Sequence, residues 1–168
     1  NGNGTVTSAP TGINCGADCT ETYLAGTVVT LTAVADADSN FTGWSGGGCT
    51  GTGTCVVTVT GSLQVTASFV LKQFTLTVMR TGAGAGAITS APAGINCGAD
   101  CTELYDVGTM VVLTAAPTVD SLFQGWSGGG CLGTGSCAVT IAGATTVSAN
   151  FAQIVHTLNV VRAGTGSG

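Results

Sequence analysis

The sequence predicts an all-β fold made of two tandem, disulfide-stapled repeats, and three observations support this prediction. A unit of 82 residues occurs twice, and 48 of the 82 aligned positions are identical without any insertion or deletion. Many short segments alternate apolar and polar residues, which is typical of half-buried strands. No segment keeps a helical periodicity over three turns. We therefore expect each repeat to form a small β-sandwich or β-grasp-like domain.

The strands are placed most clearly in the second repeat, because no part of the repeat is missing there. Six segments combine alternation with residues that favour strands, and we predict strands at 74–80, 87–90, 109–115, 121–127, 137–141 and 145–152. The glycines of 81–86 predict a turn that returns the chain into the second of these strands. Residues 91–108 predict a long loop with one helical turn at 102–105. Ala142 and Gly143 predict a closing hairpin between the last two strands.

The repeat phase divides the chain into a first repeat at 1–71, a complete second repeat at 72–153 and an opening strand at 154–168. The first repeat lacks its own opening strand in this sequence. The last segment either begins a third repeat of a continuous array, which we favour, or acts as a donor strand that completes another copy by strand addition. Such a head-to-tail contact does not have to close and would produce a fibre. We expect the inter-repeat strand residues to be Phe74, Leu76, Val78, Arg80, His156, Leu158, Val160 and Arg162.

Composition excludes several classes of function. Charged residues are 7% of the chain, the net charge is −5, and the basic residues are Lys72, Arg80 and Arg162. Clustered Lys and Arg are needed to bind nucleic acid or an anionic membrane, so neither partner is expected. No apolar run approaches the roughly 18 residues of a membrane span, and no membrane insertion is expected. There is neither an initiator Met nor a signal peptide, which suits a mature or excised segment.

The eight cysteines form two identical quartets, which favours an oxidising, extracellular or cell-surface location. Four cysteines per repeat allow three pairings. Local pairing is favoured because a glycine-rich loop can bring its ends together, although a bridge between the two loops would stabilise more, about 4 against about 2 kcal/mol. Zinc or iron–sulfur ligation is disfavoured because neither pair has the usual two-residue spacing. The favoured pairs are Cys15–Cys19, Cys49–Cys55, Cys97–Cys101 and Cys131–Cys137.

The aromatic residues are expected to form the core of each repeat. Trp44 and Trp126 could be platforms for sugars, but each follows a phenylalanine in a strand of alternating pattern, which favours burial. Phe and Trp three positions apart cannot share one face of an ideal strand, so we predict a bulge near Gly43 and Gly125. The expected core residues are Phe41, Trp44, Phe69, Phe123, Trp126 and Phe151.

Other polar residues give weaker signals. The pairs Asp18/Glu21 and Asp100/Glu103 could contribute to a calcium site, but calcium needs six or more oxygens, and turn hydrogen bonds are the simpler interpretation. His156 replaces Phe74 of the preceding repeat, so packing is favoured over a role as a catalytic base. No Ser or Cys has a repeated histidine partner, and no hydrolase triad is expected. Thr-x-Thr rows could bind ice or carry O-linked sugars, but the rows are not kept between repeats.

Two stretches combine a Gly-Trp-Ser core with a Cys-x5-Cys loop: FTGWSGGGCTGTGTCVVTVTGSLQVTASF and FQGWSGGGCLGTGSCAVTIAGATTVSANF. Together with the preceding GINCGADCTExY and GTxVxLTA segments, they make each repeat resemble the divergent internalin B-repeat domain of bacterial surface and secreted proteins. The resemblance covers nearly all of each repeat and implies a β-rich module used as a spacer, a stalk or an adhesive surface. It implies no catalytic residue. The low charge and the high identity between repeats favour a homopolymeric structural array.

We therefore expect a structural protein: an extracellular filament or surface stalk whose units join head to tail through the inter-repeat strand. The short connection between Phe69 and Phe74 favours a stiff rod. The alternative is an adhesin or binding module that recognises carbohydrate or a host surface through Trp or loop residues. No enzymatic activity and no cofactor are expected, and the expected partner is a further copy of the same protein.

Overall fold

The computed structural model of the chain describes residues 1–164 and 166. It contains fourteen strands and no helix in this part of the chain, which confirms the all-β prediction. By contacts, the chain divides into two compact units. The first unit comprises Asn1–Phe74 and Tyr105–Gly108, and the second comprises Thr75–Leu104 and the residues from Thr109 onward. No helix among the described residues is long and apolar enough to span a membrane.

The first repeat folds into a four-stranded sheet and a two-stranded ribbon. Its strands are β1 (Gly4–Ala9), β2 (Asn14–Cys15), β3 (Val28–Ala35), β4 (Ser39–Ser45), β5 (Cys55–Thr58) and β6 (Thr66–Leu71). The sheet has the order β2-β1-β3-β5 with antiparallel neighbours, and β4 pairs antiparallel with β6. Val29 and Leu31 of β3 point inward, while Val28 is exposed, as the alternation of strand side chains requires.

The second repeat has two four-stranded sheets. Its strands are β7 (Gln73–Thr81), β8 (Gly86–Ala91), β9 (Asn96–Cys97), β10 (Thr102–Asp106), β11 (Met110–Pro117), β12 (Ser121–Ser127), β13 (Cys137–Thr140) and β14 (Thr145–Gln153). One sheet, β13-β11-β8-β9, repeats the sheet of the first repeat. The other, β10-β7-β14-β12, contains the counterpart of the β4–β6 ribbon and two further strands, β7 and β10.

The core of each repeat lies between its two sheets. In the first repeat it includes Val29 and Leu31 of β3, Trp44 of β4 and Val57 of β5. Phe41 and Phe69 are half-buried against it. In the second repeat Trp126 and Phe151 are buried, and Phe123 is half-buried. The core is therefore built from alternate inward-facing side chains of both sheets.

The predicted bulge is confirmed in both repeats. The register between β4 and β6 shifts at Phe41/Gly43, and that between β12 and β14 shifts at Phe123/Gly125. The glycines have φ values of 138° and 137°, a conformation that L side chains rarely adopt. The bulge turns Phe and Trp to the same face, where the rings of Phe123 and Trp126 lie 5.0 Å apart between centroids.

Three local predictions were wrong. The segments 137–141 and 145–152 do not form a hairpin, because β13 pairs with β11 while β14 lies between β12 and β7. The glycine segment after β7 does not return the chain beside that strand, because β8 pairs with β9 and β11. Residues 102–105 belong to strand β10 and form no helical turn. In the first two cases the chain crosses from one sheet to the other, and a local turn signal does not distinguish this from a hairpin.

The crossing after β7 explains its glycines. Gly84 donates its backbone N–H to the carbonyl oxygen of Phe151 at 2.8 Å, so the crossing lies directly against β14. A Cβ added at Gly82 would collide with that carbonyl oxygen, and one at Gly84 would meet the backbone of Ala152 at 2.6 Å. Glycine is needed here because any side chain would push the crossing away from the sheet.

Candidate functional site

Strand β7 is an inner strand of the larger sheet in the second repeat. It runs parallel to β14, with Leu76 opposite Thr145 and Thr81 opposite Asn150, and β10 lies on its other side. The side chains of Leu76 and Val78 are 0% and 2% exposed. The inter-repeat strand predicted at 74–80 therefore lies within a sheet, and two of its alternate side chains are part of the core.

Polar contacts along β7 hold the strand in this register. The backbone N–H of Val78 donates to the carbonyl oxygen of Cys101 at 2.8 Å. The carbonyl oxygen of the same residue is in van der Waals contact with the Sγ atom of Cys97 at 3.7 Å, since the disulfide sulfur has no proton to donate. The guanidinium of Arg80 donates to the carbonyl oxygen of Gly86 at 3.0 Å. The strand is thus held between β14 and the disulfide loop of Cys97 and Cys101.

The first repeat has an open groove in the place that β7 fills in the second. This acceptor groove has a volume of about 860 Å³ and lies in the first unit, beside the Cys15–Cys19 loop and residues 59–69. Val6, Ile13, Tyr23, Val65 and Phe69 line it, and all five are half-buried. Their counterparts in the second repeat are all buried: Ile88, Ile95, Tyr105, Val147 and Phe151. Four of these five side chains are identical in the two repeats, and Val6 is replaced by Ile88. The described residues of the first repeat include no equivalent of β7, so this part of its core is not covered by a strand.

The two segments that border the groove also lack strand structure. Residues 20–24 read TETYL and have no regular structure, whereas their counterparts 102–106 read TELYD and form β10. Likewise β6 begins later in its repeat than β14 does. β6 begins at Thr66, whereas β14 begins at Thr145, the counterpart of Leu63. Both segments that become strands beside β7 are irregular where β7 has no equivalent.

The second copy of the inter-repeat strand is exposed. Residues 154–163 have no regular structure, and all of their side chains are exposed. Leu158 and Val160, the counterparts of Leu76 and Val78, are 87% and 85% exposed. The structure therefore contains one buried and one uncovered copy of the same apolar-alternating strand sequence.

The cysteines form local disulfides. Cys15 pairs with Cys19 and Cys97 with Cys101, with Cα atoms 4.2 Å apart in each pair. The Cα atoms of the Cys-x5-Cys pairs are 5.5 and 5.4 Å apart. Within the described residues no cysteine is free. Cys15 and Cys19 line the acceptor groove, and the cysteines of the longer loops, Cys49, Cys55, Cys131 and Cys137, are buried.

Each tryptophan holds the Cys-x5-Cys loop on the core. Trp44 and Trp126 are 6% and 4% exposed. Their Nε1–H groups donate to the carbonyl oxygens of Gly53 and Gly135, at 2.6 Å in each case. A sugar platform needs an open ring face, and neither indole offers one.

The acidic residues near the short disulfides make local hydrogen bonds. Asp18 and Asp100 each accept from the backbone N–H two residues later, at 3.1 and 3.2 Å. Glu21 and Glu103 each accept from the next backbone N–H, at 2.6 and 3.0 Å. Across residues 1–164 and 166, no three His, Cys, Asp or Glu side chains are grouped so that they could hold a metal ion. These contacts match the turn interpretation of the carboxylates.

Sequence reasoning identified the strand but not the groove. Val6, Ile13, Tyr23 and Val65 were not singled out, because each looks like an ordinary strand or loop residue. A signal was nevertheless present. Tyr23 and Val65 recur in the second repeat, and Val6 is replaced only by Ile88. A repeat that keeps every core position but lacks one strand must leave the part of its core beneath that strand uncovered.

A small all-β repeat with a bulged Phe-x-Gly-Trp strand and two local disulfides is thus the class of domain that the structure defines. The profile of the family described as "Divergent InlB B-repeat domain" matches residues 1–73 and 76–155, and the chain belongs to this family. Domains of this family are typical of extracellular or surface-associated proteins. Comparison with curated proteins and with solved structures gave no significant match.

Proposed function

We propose that this chain is a structural subunit of an extracellular filament or surface stalk, built from disulfide-stapled β-repeats that join head to tail through the inter-repeat strand. The observation that carries the proposal is strand β7. It begins two residues after β6 ends, and its residues Leu76 and Val78 are buried within the sheet of the second repeat. A strand that follows one repeat and completes the next couples the folding of consecutive repeats, as in repeat proteins.

Composition and covalent structure support an extracellular location and a structural role. Four disulfides staple the two repeats, and disulfides persist in oxidising compartments. Charged residues are 7% of the chain, so charge repulsion opposes self-association only weakly. The single histidine stands where the preceding repeat has Phe74, and we propose no catalytic role for the chain.

The alternative function, carbohydrate binding by an adhesin, has less support. Its strongest candidates were the two tryptophans, but both indoles are buried, and they make T-shaped ring contacts with Phe41 and Phe123 at centroid distances of 5.2 and 5.0 Å. A glycan array with the intact chain tests this alternative, with Trp126→Ala as the comparison. Specific glycan binding by the intact chain would favour the adhesin over the structural subunit.

Electron microscopy of the native material tests the filament directly. We expect fibres with an axial period, decorated by an antibody against the chain. The mass of the reduced, denatured polypeptide then separates two kinds of filament: a value near the 16.2 kDa of this chain means separate subunits, and a value of several hundred kDa means a continuous array. Isolated, unassembled particles under native conditions would contradict the proposed function.

A further inference from the structure

We propose that Asn40 is the acceptor of an N-linked glycan, which is attached to the chain during export and projects from the outer face of strand β4. The inference rests on the extracellular location in the proposed function and adds a covalent modification to it. Asn40, Phe41 and Thr42 form the triplet Asn-x-Thr, in which x is not proline, and this triplet is the acceptor motif for N-glycosylation. Because so short a motif is common, its position in the fold decides whether it is a site.

The side chains of the motif lie on the outer face of an edge strand. Asn40 and Thr42 are alternate residues of β4, and both are exposed, whereas Phe41 between them is half-buried against the core. β4 lies at the edge of the two-stranded ribbon, where it pairs with β6. An oligosaccharide on Asn40 therefore points into solvent and displaces no packed side chain.

The same outer face exists in the second repeat, where β7 and β10 complete the sheet. Asn40 and Thr42 correspond there to Leu122 and Gln124 of β12, which is the last strand of its sheet. Leu122 is 58% exposed, and Gln124 is also exposed. The exposure of these two positions thus does not depend on the strand that the first repeat lacks.

The two repeats differ in this segment at the residues that create the motif. Residues 38–45 read DSNFTGWS and residues 120–127 read DSLFQGWS, so six of the eight positions are identical. The two differences are Leu122 in place of Asn40 and Gln124 in place of Thr42. The residues of the bulge and the core are kept, and only the two outer-face positions vary. The motif is therefore a surface feature of one repeat and is not needed to build the domain.

The hydrogen bonds of the folded ribbon place glycan transfer before folding. Asn40 is paired with Val70 in the ladder between β4 and β6, and the hydroxyl of Thr42 donates to the carbonyl oxygen of Ser68 at 3.0 Å. A transferase that reads the motif has to hold both the asparagine amide and the hydroxyl two residues later in its own active site. The ladder does not leave the triplet free to do this. The acceptor is therefore the unfolded chain during export.

The reaction transfers a glycan from a lipid-linked oligosaccharide pyrophosphate. The Nδ2 atom of Asn40 forms a bond to C1 of the first sugar, while the bond between C1 and the pyrophosphate oxygen breaks. One amide proton is released, and the lipid pyrophosphate leaves. The resulting linkage is a neutral amide on the surface of a secreted domain, where N-glycans are found.

Peptide mass spectrometry of the native protein tests the modification. We expect the peptide that contains Asn40 to exceed its sequence mass by at least one monosaccharide and to release sugar fragment ions. Thr42→Val removes the hydroxyl but keeps the asparagine, and it should abolish the added mass, whereas Thr42→Ser should retain it. Asn3 begins the only other such triplet in the sequence. Asn3→Gln is therefore the matched control and should leave the modification of Asn40 in place.

A transplant into the second repeat provides the converse test. Leu122→Asn combined with Gln124→Thr recreates the motif on β12, at two exposed positions of a segment that otherwise matches. We expect a second glycosylated peptide from this variant. Leu122→Asn alone does not complete the triplet and should give none. Circular dichroism of all variants checks that the repeats remain folded. Absence of the second glycosylated peptide would mean that the outer-face position does not decide the modification.

The outcomes separate this inference from the proposed function. Native fibres in which Asn40 is unmodified, or in which Asn3 alone carries a glycan, would overturn the inference and leave the filament intact. An added mass on Asn40 that persists in T42V would also overturn it, because the acceptor motif would then play no part. Glycosylated Asn40 on chains that form no fibres would overturn the filament alone.

Discussion

At the scale of single residues, the tryptophans connect the core to the glycine loops. The Trp126 ring packs edge-on against Phe123, and its Nε1–H holds the loop through Gly135. This arrangement depends on glycine at the bulge. A Cβ at Gly125 would lie 3.0 Å from the carbonyl oxygen of Gly133, and the residue carrying it would have to adopt a φ of 137°. Burial of both tryptophans could be predicted from the alternation and the spacing to phenylalanine.

Replacing Trp126 by Ala should reduce the unfolding free energy of the second repeat by about 3–5 kcal/mol, because it leaves a large cavity and frees the loop carbonyl. Leu132→Ala in the same loop is the matched control. Leu132 is 86% exposed, so its loss should change stability by no more than about 0.5 kcal/mol. Chemical denaturation followed by circular dichroism measures both. Equal effects of the two substitutions would contradict the burial of the indole.

At the scale of elements, strand formation in this chain depends on the neighbouring strand as well as on local sequence. Residues 20–24 and 102–106 differ at two of five positions, yet the second segment is β10 and the first has no regular structure. The sequence predicted most strands because alternation is a local property. It could not predict β10, or the parallel pairing of β7 with β14, because both depend on contacts between segments far apart in the chain.

Leu76→Ala in β7 should reduce the unfolding free energy by about 2–5 kcal/mol, because the side chain is fully buried. Met79 lies on the outer face of the same strand and is 51% exposed, so Met79→Ala should have an effect within about 0.5 kcal/mol. Thermal unfolding of the two variants gives the comparison. A stable L76A variant would mean that β7 is not part of the core.

Hydrogen exchange should detect the missing strand neighbour. In the isolated chain, the backbone amides of residues 20–24 should exchange faster than those of 102–106, because the former have no ladder partner. In assembled material the amides of 20–24 and 63–65 should become protected by at least tenfold. Mass spectrometry of peptides from the two states measures this. Unchanged exchange on assembly would indicate that the acceptor groove stays empty.

At the scale of the whole molecule, the two repeats should differ in stability although they share most of their sequence. Positions that are buried in the second repeat are half-buried around the acceptor groove of the first. We therefore expect two unfolding transitions, with the first repeat unfolding at the lower temperature. Each kcal/mol of difference corresponds to about 4–8 °C for a domain of this size.

Equivalent substitutions assign the two transitions. Trp44→Ala should shift the early transition and Trp126→Ala the late one, since each indole lies in the core of its own repeat. Differential scanning calorimetry of the isolated chain provides the measurement. A single transition that both substitutions shift equally would show that the repeats unfold as one cooperative body.

The parallel direction of the β7–β14 pair has a consequence for growth. A polymer propagated by that pairing is vectorial: one terminus always displays an empty receptor cleft, and the opposite terminus always displays an unused peptide arm. Monomers arriving at the two termini meet different chemistry, so elongation rates there need not be equal. A short synthetic peptide that mimics the arm would occupy the cleft of the polymer's terminus and the clefts of incoming monomers alike, so elongation would stop at both termini.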